Sequence, residues 1–103
     1  MVLNKPPQNF KENKPLYKPV KSSNPKKKGM VYVKRDGNKK LIHFGDSNMK
    51  DFTQHKDKDR RKNYLARSAG ITNKQGVKTA NNKNYSNYWA RKVLWWLFSF
   101  YNI

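Results

Sequence analysis

The residues able to support metal or acid–base chemistry are few and lie near the middle of the chain. They are His43, Asp46, Asp51, His55, Asp57 and Asp59. Metal-dependent nucleases use such side chains, so a small nuclease has to be considered. The acids also have structural explanations, because Asp46 and Asp57 suit helix caps and Asp59 suits an ion pair along a helix. No cysteine occurs, and the isolated glycines form no phosphate-binding loop. We therefore predict no catalytic residues, no metal site, no cofactor and no small-molecule substrate.

Positive charge is the strongest chemical signal in the sequence. Its 103 residues include 24 Lys and Arg but 6 Asp and Glu, for a formal net charge of +18. A chain so basic repels itself unless a polyanion neutralises it, so nucleic acid, DNA rather than RNA, is the expected partner. No helix-turn-helix, zinc-finger, RRM or KH pattern is present, which favours phosphate binding without sequence specificity. The candidate binding residues are Lys26, Lys27, Lys28, Lys34, Arg35, Lys39, Lys40, Arg60, Arg61, Tyr64 and Arg67.

An aromatic cluster near the C-terminus is the second candidate site. As a helix, residues 93–103 would span roughly 16 Å, about half of a bilayer core, so the segment is too short to cross a membrane. Its large side chains could fill the core of a small domain, or they could form an exposed patch that binds a partner. The predicted partner-binding residues are Trp95, Trp96, Phe98, Phe100 and Tyr101.

The first 29 residues are predicted to form an extended basic arm. All 5 prolines lie within this segment, and the pair Lys-Pro recurs three times. Proline removes backbone donors and disfavours a helix in the residue before it. We expect a solvated arm of polyproline-II character, followed by one domain over residues 30–103.

A β-hairpin is predicted to open this domain. Two apolar runs flank a basic segment whose centre is Asp36-Gly37, a sequence typical of a two-residue type I′ turn. This turn would place Val31 opposite Ile42 and Val33 opposite Lys40. The predicted core face consists of Val31, Val33, Ile42 and Phe44.

Helices are predicted to pack on this hairpin. A short helix capped by Asp46 or Ser47 would carry Met49 and Phe52 on one face. A second helix would begin near Asp57 and stop at Gly70. Its residues 60, 64 and 67 share a face, which places Tyr64 between two arginines.

A last helix is predicted after a polar loop over residues 70–87. Ser86 or Asn87 would cap it, and it would run from Tyr88 to about Tyr101. The predicted fold is therefore a small α+β domain, with a β-hairpin against two or three helices. We expect Phe52, Leu65, Trp89 and Leu94 to complete its core.

Four elements in the same order resemble a family of small, basic, uncharacterised proteins from large double-stranded DNA viruses and phages. The resemblance runs roughly from residue 31 to residue 96. It rests on the runs Leu41–Asp46, Asp51–Asp57, Arg60–Ser68 and Tyr88–Trp95. It implies a viral gene product carried in the particle, and it supplies no catalytic residues.

These observations predict a non-enzymatic protein of the virion, present in the host cell during infection. It would bind nucleic-acid phosphates and dock by its aromatic C-terminus against viral capsid or other virion proteins, or against an inner membrane. A minor capsid protein, whose main contacts are capsid proteins or the inner membrane, is the first alternative. A ribosome-associated protein and a small nuclease are the others.

Overall fold

The predicted hairpin lies at the centre of the structure, a computed structural model that describes residues 3–51 and 56–96, with Trp96 described by its backbone alone. The helices and strands are α1 (Phe10–Asn13), β1 (Val20–Lys21), β2 (Lys27–Arg35), β3 (Asn38–Asp46), α2 (Lys58–Ser68) and α3 (Ser86–Trp89), which continues as a π-helix over Ala90–Trp96. The three strands form one antiparallel sheet in the order β1-β2-β3. The α+β class is confirmed.

The hairpin turn sets the register of β2 and β3 as predicted. Asp36 and Gly37 have φ angles of 54° and 80°, the positive values that a type I′ turn requires. Val31 pairs with Ile42, and Val33 pairs with Lys40. Because the side-chain period of a strand is two residues, this register determines which residues share a face of the sheet.

The first face of the sheet packs against the terminal helix. Val31, Val33, Ile42 and Phe44 form one buried cluster with Trp89, Val93 and Leu94. The core positions predicted for Trp89 and Leu94 are confirmed. Leu65 is only half-buried and lies outside this cluster, and Phe52 lies outside the described residues.

The second face of the sheet is covered by the N-terminal segment. Phe10 and Val20 form a second buried cluster with Met30 and Tyr32, and the rings of Phe10 and Tyr32 are 5.0 Å apart. The prediction of a solvated arm over residues 1–29 is therefore wrong for the described part of that segment, and so is the domain boundary after residue 29. Met30 and Tyr32 alternate with the residues of the first face, so an uncovered second face would leave them exposed to water.

The outer edge of β2 is covered along most of its length. β1 pairs with Met30 and Gly29, and further along the strand the Tyr17 amide donates to the Tyr32 carbonyl at 2.8 Å. Near the tip, the Lys34 amide donates to Oδ1 of Asn84 at 3.3 Å. These contacts satisfy backbone groups that an edge strand would leave unpaired.

The segment after β3 begins with a turn instead of the predicted helix. Oδ1 of Asp46 accepts from the Asn48 amide at 2.9 Å, and the Asp46 carbonyl accepts from Met49. Met49 is 61% exposed, and its predicted helical partner Phe52 lies outside the described residues. Asp46 forms an Asx turn, in which its carboxylate accepts a hydrogen bond from a following backbone amide. Such a turn competes with helix initiation.

The start of α2 agrees with the prediction. Oδ1 of Asp57 accepts from the amides of Asp59 at 3.0 Å and Arg60 at 3.2 Å, so Asp57 is the N-cap. The helix ends at Ser68, two residues before Gly70.

The terminal helix begins two residues earlier than predicted. Tyr85 occupies the N-cap position, and no side chain caps this end. Asn87 instead donates from Nδ2 to the Ser68 carbonyl and to Oγ1 of Thr79, which ties α2 and the preceding loop to the helix. The end predicted near Tyr101 lies outside the described residues. Within the described residues, no helix has the length and apolar character to cross a membrane.

Candidate nucleic-acid interface

One face of α2 presents two arginines with a tyrosine between them. Arg60, Tyr64 and Arg67 all border a concavity of about 530 Å³ between α2, the base of the hairpin and the π-helix. Both arginines are exposed, and within the described residues no hydrogen bond or ion pair occupies either guanidinium. The prediction that these three residues share a face is confirmed. We call this face the α2 face.

The position of α2 depends on contacts at both ends of the helix. Its N-terminus is capped by Asp57, and its C-terminal turn accepts two bonds from Nη1 of Arg91, to the Leu65 carbonyl and to Oγ of Ser68, both at 2.6 Å. Arg91 is thus a cation that holds the fold together. These contacts fix the α2 face relative to the sheet.

Tyr64 is half-buried and packs on the terminal helix. Its ring centroid lies 4.1 Å from that of Trp95, with the planes tilted by 43°. Burial raises the pKa of the Tyr64 hydroxyl, and Asp51 adds to the rise while Arg91 and Arg67 oppose it. Tyr64 is therefore neutral at physiological pH and lines the concavity together with the two arginines.

Two cations predicted to bind phosphate are held by contacts inside the protein. Lys28 is only 16% exposed and forms an ion pair with Asp51, which is 5% exposed; its Nζ also donates to the Met49 carbonyl. Arg61 donates from Nε to the Trp95 carbonyl at 2.9 Å. Lys28 is thus engaged within the fold through its ammonium and Arg61 through its Nε, and phosphate binding by either residue stays a prediction.

A second cationic concavity lies at the hairpin tip. It has a volume of about 530 Å³ and its cationic lining is Arg35, Lys39, Lys40 and Lys74, with Asp36 as the one acid among its lining residues. We call it the tip cleft. Lys34 is exposed beside it, and Nζ of Lys39 donates to the Lys14 carbonyl at 3.1 Å. The structure therefore brings the predicted tip cations together and places Lys39 against the N-terminal segment.

The loop over residues 73–85 completes the tip cleft and was missing from the predicted site. The guanidinium carbon of Arg35 lies 4.0 Å from the centroid of the Tyr85 ring. The Nε of Arg35 donates a hydrogen bond to the Asn84 carbonyl at 2.7 Å. The signal available in the sequence was three lysines and one aromatic residue in a mostly polar loop. Periodicity does not reveal that such a loop returns to the tip.

Lys26 and Lys27 lie at the other end of the hairpin. Both are exposed, and Lys27 pairs with Asp46 in the ladder. They border neither concavity. Their positive charge contributes to the field of the whole molecule rather than to a shaped site.

The residues considered for acid–base chemistry are dispersed in the structure. Nδ1 of His43 lies 2.7 Å from Oγ of Ser22, and burial, with help from Lys11 and Lys27, lowers the pKa of its imidazole. Asp46, Asp51 and Asp57 serve the turn, the ion pair and the cap described above. In residues 3–51 and 56–96, no three His, Asp or Glu side chains converge as a metal site would require. His55 lies outside this part of the chain.

The predicted aromatic docking residues are described only in part. Trp95 is half-buried and its ring packs against Tyr64. The side chain of Trp96 and the residues Phe98, Phe100 and Tyr101 lie outside the described part of the chain. Partner binding by this cluster stays a prediction.

Comparison with known proteins gives one similarity. Residues 18–68, just under half of the chain, match a family of unknown function, DUF5754. The match covers the sheet and α2, and it ends at the last residue of that helix. No curated protein and no solved structure gave a significant match.

Proposed function

We propose that the protein is a non-enzymatic nucleic-acid-binding protein that contacts phosphates without reading the base sequence. The observation that carries this proposal is the α2 face, where Arg60 and Arg67 are exposed on either side of Tyr64 and have no hydrogen-bond or ion-pair partner among residues 3–51 and 56–96. Guanidinium groups suit this role because their planar donors match the oxygens of a phosphate.

The spacing of the two arginines supports contact with more than one phosphate. They lie seven positions apart on an α-helix, an axial distance of about 10 Å. They therefore reach different phosphates of one nucleic-acid strand. Tyr64 lies on the same face and packs on Trp95.

The surplus of positive charge supports the same function. The chain has 24 basic and 6 acidic residues, so a net charge of +18 remains even if every acidic residue is paired with a basic one. Phosphates would neutralise this charge with release of counterions, which makes binding strongly dependent on salt. DNA is our proposed partner because the sequence resembles proteins of DNA viruses.

The viral setting of this proposal rests on that sequence resemblance alone. In this setting the protein is part of the virion, or acts in the infected cell, and its aromatic C-terminus contacts a capsid protein or an inner membrane. If capsid contacts dominate instead, the cations would meet acidic protein surfaces or lipid headgroups.

The test is binding of a labelled 20-base-pair duplex DNA, and of a matching RNA duplex, measured by fluorescence anisotropy across a salt series. The variant R60A/R67A removes two charges from the α2 face. The variant K58A/K62A is the matched control, because it removes two exposed charges from the opposite face of the same helix.

We expect R60A/R67A to reduce the slope of log affinity against log salt by about 2, since each phosphate contact contributes about 0.9. The control should change the slope by less than half as much. Equal effects of the two variants would show that only overall charge matters and would refute a specific α2 interface. Binding weaker than about 0.1 mM at physiological salt would refute the function itself, since that is the weak limit for non-specific DNA binding.

A further inference from the structure

Arg35 is held in place on two sides, unlike the lysines around it. Its Nε donates to the Asn84 carbonyl at 2.7 Å, and its guanidinium carbon lies 4.0 Å from the centroid of the Tyr85 ring. A guanidinium has five N–H donors in one plane, so the bond to Asn84 leaves the four on the terminal nitrogens. The side chain is therefore fixed while its phosphate-binding end remains available.

The residues that hold Arg35 are themselves fixed to three parts of the chain. Oδ1 of Asn84 accepts from the Tyr17 hydroxyl at 2.8 Å and from the Lys34 amide. The Tyr85 hydroxyl accepts from Nδ2 of Asn73 at 3.3 Å. The N-terminal segment, the hairpin and the loop thus converge on one arginine.

Lys74 enters the cleft on a tight turn anchored to the same tyrosine. Oδ1 of Asn73 accepts from the amides of Gln75 at 2.9 Å and Val77 at 3.0 Å. Gly76 has a φ angle of 79°, a conformation that glycine adopts without steric cost. Because Asn73 also contacts Tyr85, the turn has a defined position relative to Arg35.

From this arrangement we infer that the tip cleft is a preorganised phosphate-binding site in which Arg35 is the anchor. Its ligand is a phosphodiester of the nucleic-acid backbone, so the inference rests on the proposed function and adds a second, separate interface to it. Lys40 and Lys74 add charge around the anchor, and Asp36 offsets part of it.

Because Arg35 is preorganised, it should contribute more to phosphate binding than its charge alone would. An exposed lysine loses most of its side-chain freedom when it binds a phosphate, whereas Arg35 has already lost it in the fold. Lysine at position 35 would keep the charge but lose the planar stack, the bond to Asn84 and the paired terminal donors. The charge-conserving replacement should therefore impair binding more than removal of a neighbouring charge.

The experiment compares R35K with K40A in the same duplex-binding assay, using the full chain. We expect R35K to weaken binding roughly three- to tenfold with almost no change in salt slope. We expect K40A to weaken binding about twofold and to reduce the slope by about 1. A weaker effect for R35K than for K40A would overturn the anchor role.

A measurement on the wild-type protein makes the test independent of folding in the variants. Inorganic phosphate is titrated while the Nε–Hε signals of the 5 arginines are followed by NMR. The Arg35 signal should shift at lower phosphate concentration than that of Arg91, whose terminal Nη1 is engaged within the fold. If the Arg35 signal does not shift before the Arg91 signal, the inference is wrong even when duplex DNA binds elsewhere on the protein.

The two tests separate the two proposals. If the wild type binds neither DNA nor RNA, the proposed function fails, and a selective Arg35 shift would then indicate a site for a smaller phosphate compound. If the wild type binds DNA but R35K binds equally well and Arg35 is not shifted by phosphate, only the tip-cleft inference fails.

Discussion

Replacing Phe10 with alanine tests whether the N-terminal segment belongs to the folded domain. Phe10 is 2% exposed, and its ring lies 5.0 Å from that of Tyr32 on the second face of the sheet. Truncation of a buried phenylalanine usually costs about 3–5 kcal/mol of unfolding free energy. Because α1 is only one turn long and can settle towards the sheet, we expect the lower end, about 3 kcal/mol. A solvated arm would give a change close to zero.

The free energy of unfolding is measured by urea titration, followed by far-UV circular dichroism. For a domain of this size, a loss of 3 kcal/mol corresponds to a fall in Tm of roughly 12–24 °C. The control is K11A, which removes an exposed side chain from the same helix and should change stability by less than about 0.5 kcal/mol. If F10A and K11A have the same midpoint, the packing of the N-terminal segment on the sheet is refuted.

Three further predictions concern the sheet, the α2 cap and His43. A Cβ at Gly29 would overlap the buried ring of Phe44, so G29A should cost about 1–3 kcal/mol, measured by thermal unfolding. D57A should destabilise the protein by about 1 kcal/mol whereas D57N, which keeps a capping oxygen, should cost less than half of that in the same assay. The folded state lowers the pKa of His43 from its ordinary value of 6.5. As the pH falls, the imidazole is therefore protonated more readily in the unfolded chain than in the folded one, and this difference favours unfolding. The urea midpoint should therefore fall between pH 7.5 and pH 5.5, and it should fall less in H43Q.

Each of these predictions has a result that would contradict it. Wild-type stability in G29A would mean that β2 and β3 are farther apart than described. Equal stability of D57A and D57N would remove the capping role of Asp57. An identical pH dependence in the wild type and H43Q would show that His43 is not the source of the acid sensitivity.

The hairpin could be predicted in detail because its determinants are local. Asp36-Gly37 specifies the turn, the turn specifies the register, and the register specifies the core face. The start of α2 was predictable for the same reason, since Asp57 caps amides only two and three residues away. Such contacts depend on sequence spacing alone.

The second face of the sheet was missed although a signal for it was present. Met30 and Tyr32 interleave with Val31 and Val33, and a continuous apolar run is typical of a strand buried on both faces. The prolines of the N-terminal segment by themselves favour an extended, solvated chain. In the structure, that segment carries Phe10 and Val20 into contact with the sheet.

The candidate site was predictable as a set of cations, but the role of each cation was not. Arg60 and Arg61 are neighbours in the sequence, yet one borders the α2 concavity and the other donates to the Trp95 carbonyl. Lys28 is similarly committed to Asp51. Which lysines and arginines face outward depends on contacts between residues distant in the chain, and charge counting does not include these contacts.

The position of the hairpin between the earliest and the latest described segments has a consequence for synthesis of the chain on the ribosome. Chains emerge from the N-terminus, so α1 and β1 are available to cover Met30 and Tyr32 as soon as β2 has formed. The other face must wait for Trp89, Val93 and Leu94, which are made about 40 residues after β3 is complete. During this interval a nascent chain exposes Val31, Val33, Ile42 and Phe44 as one apolar surface. Chaperone binding should therefore be stronger for released chains truncated before α3 than for the full chain.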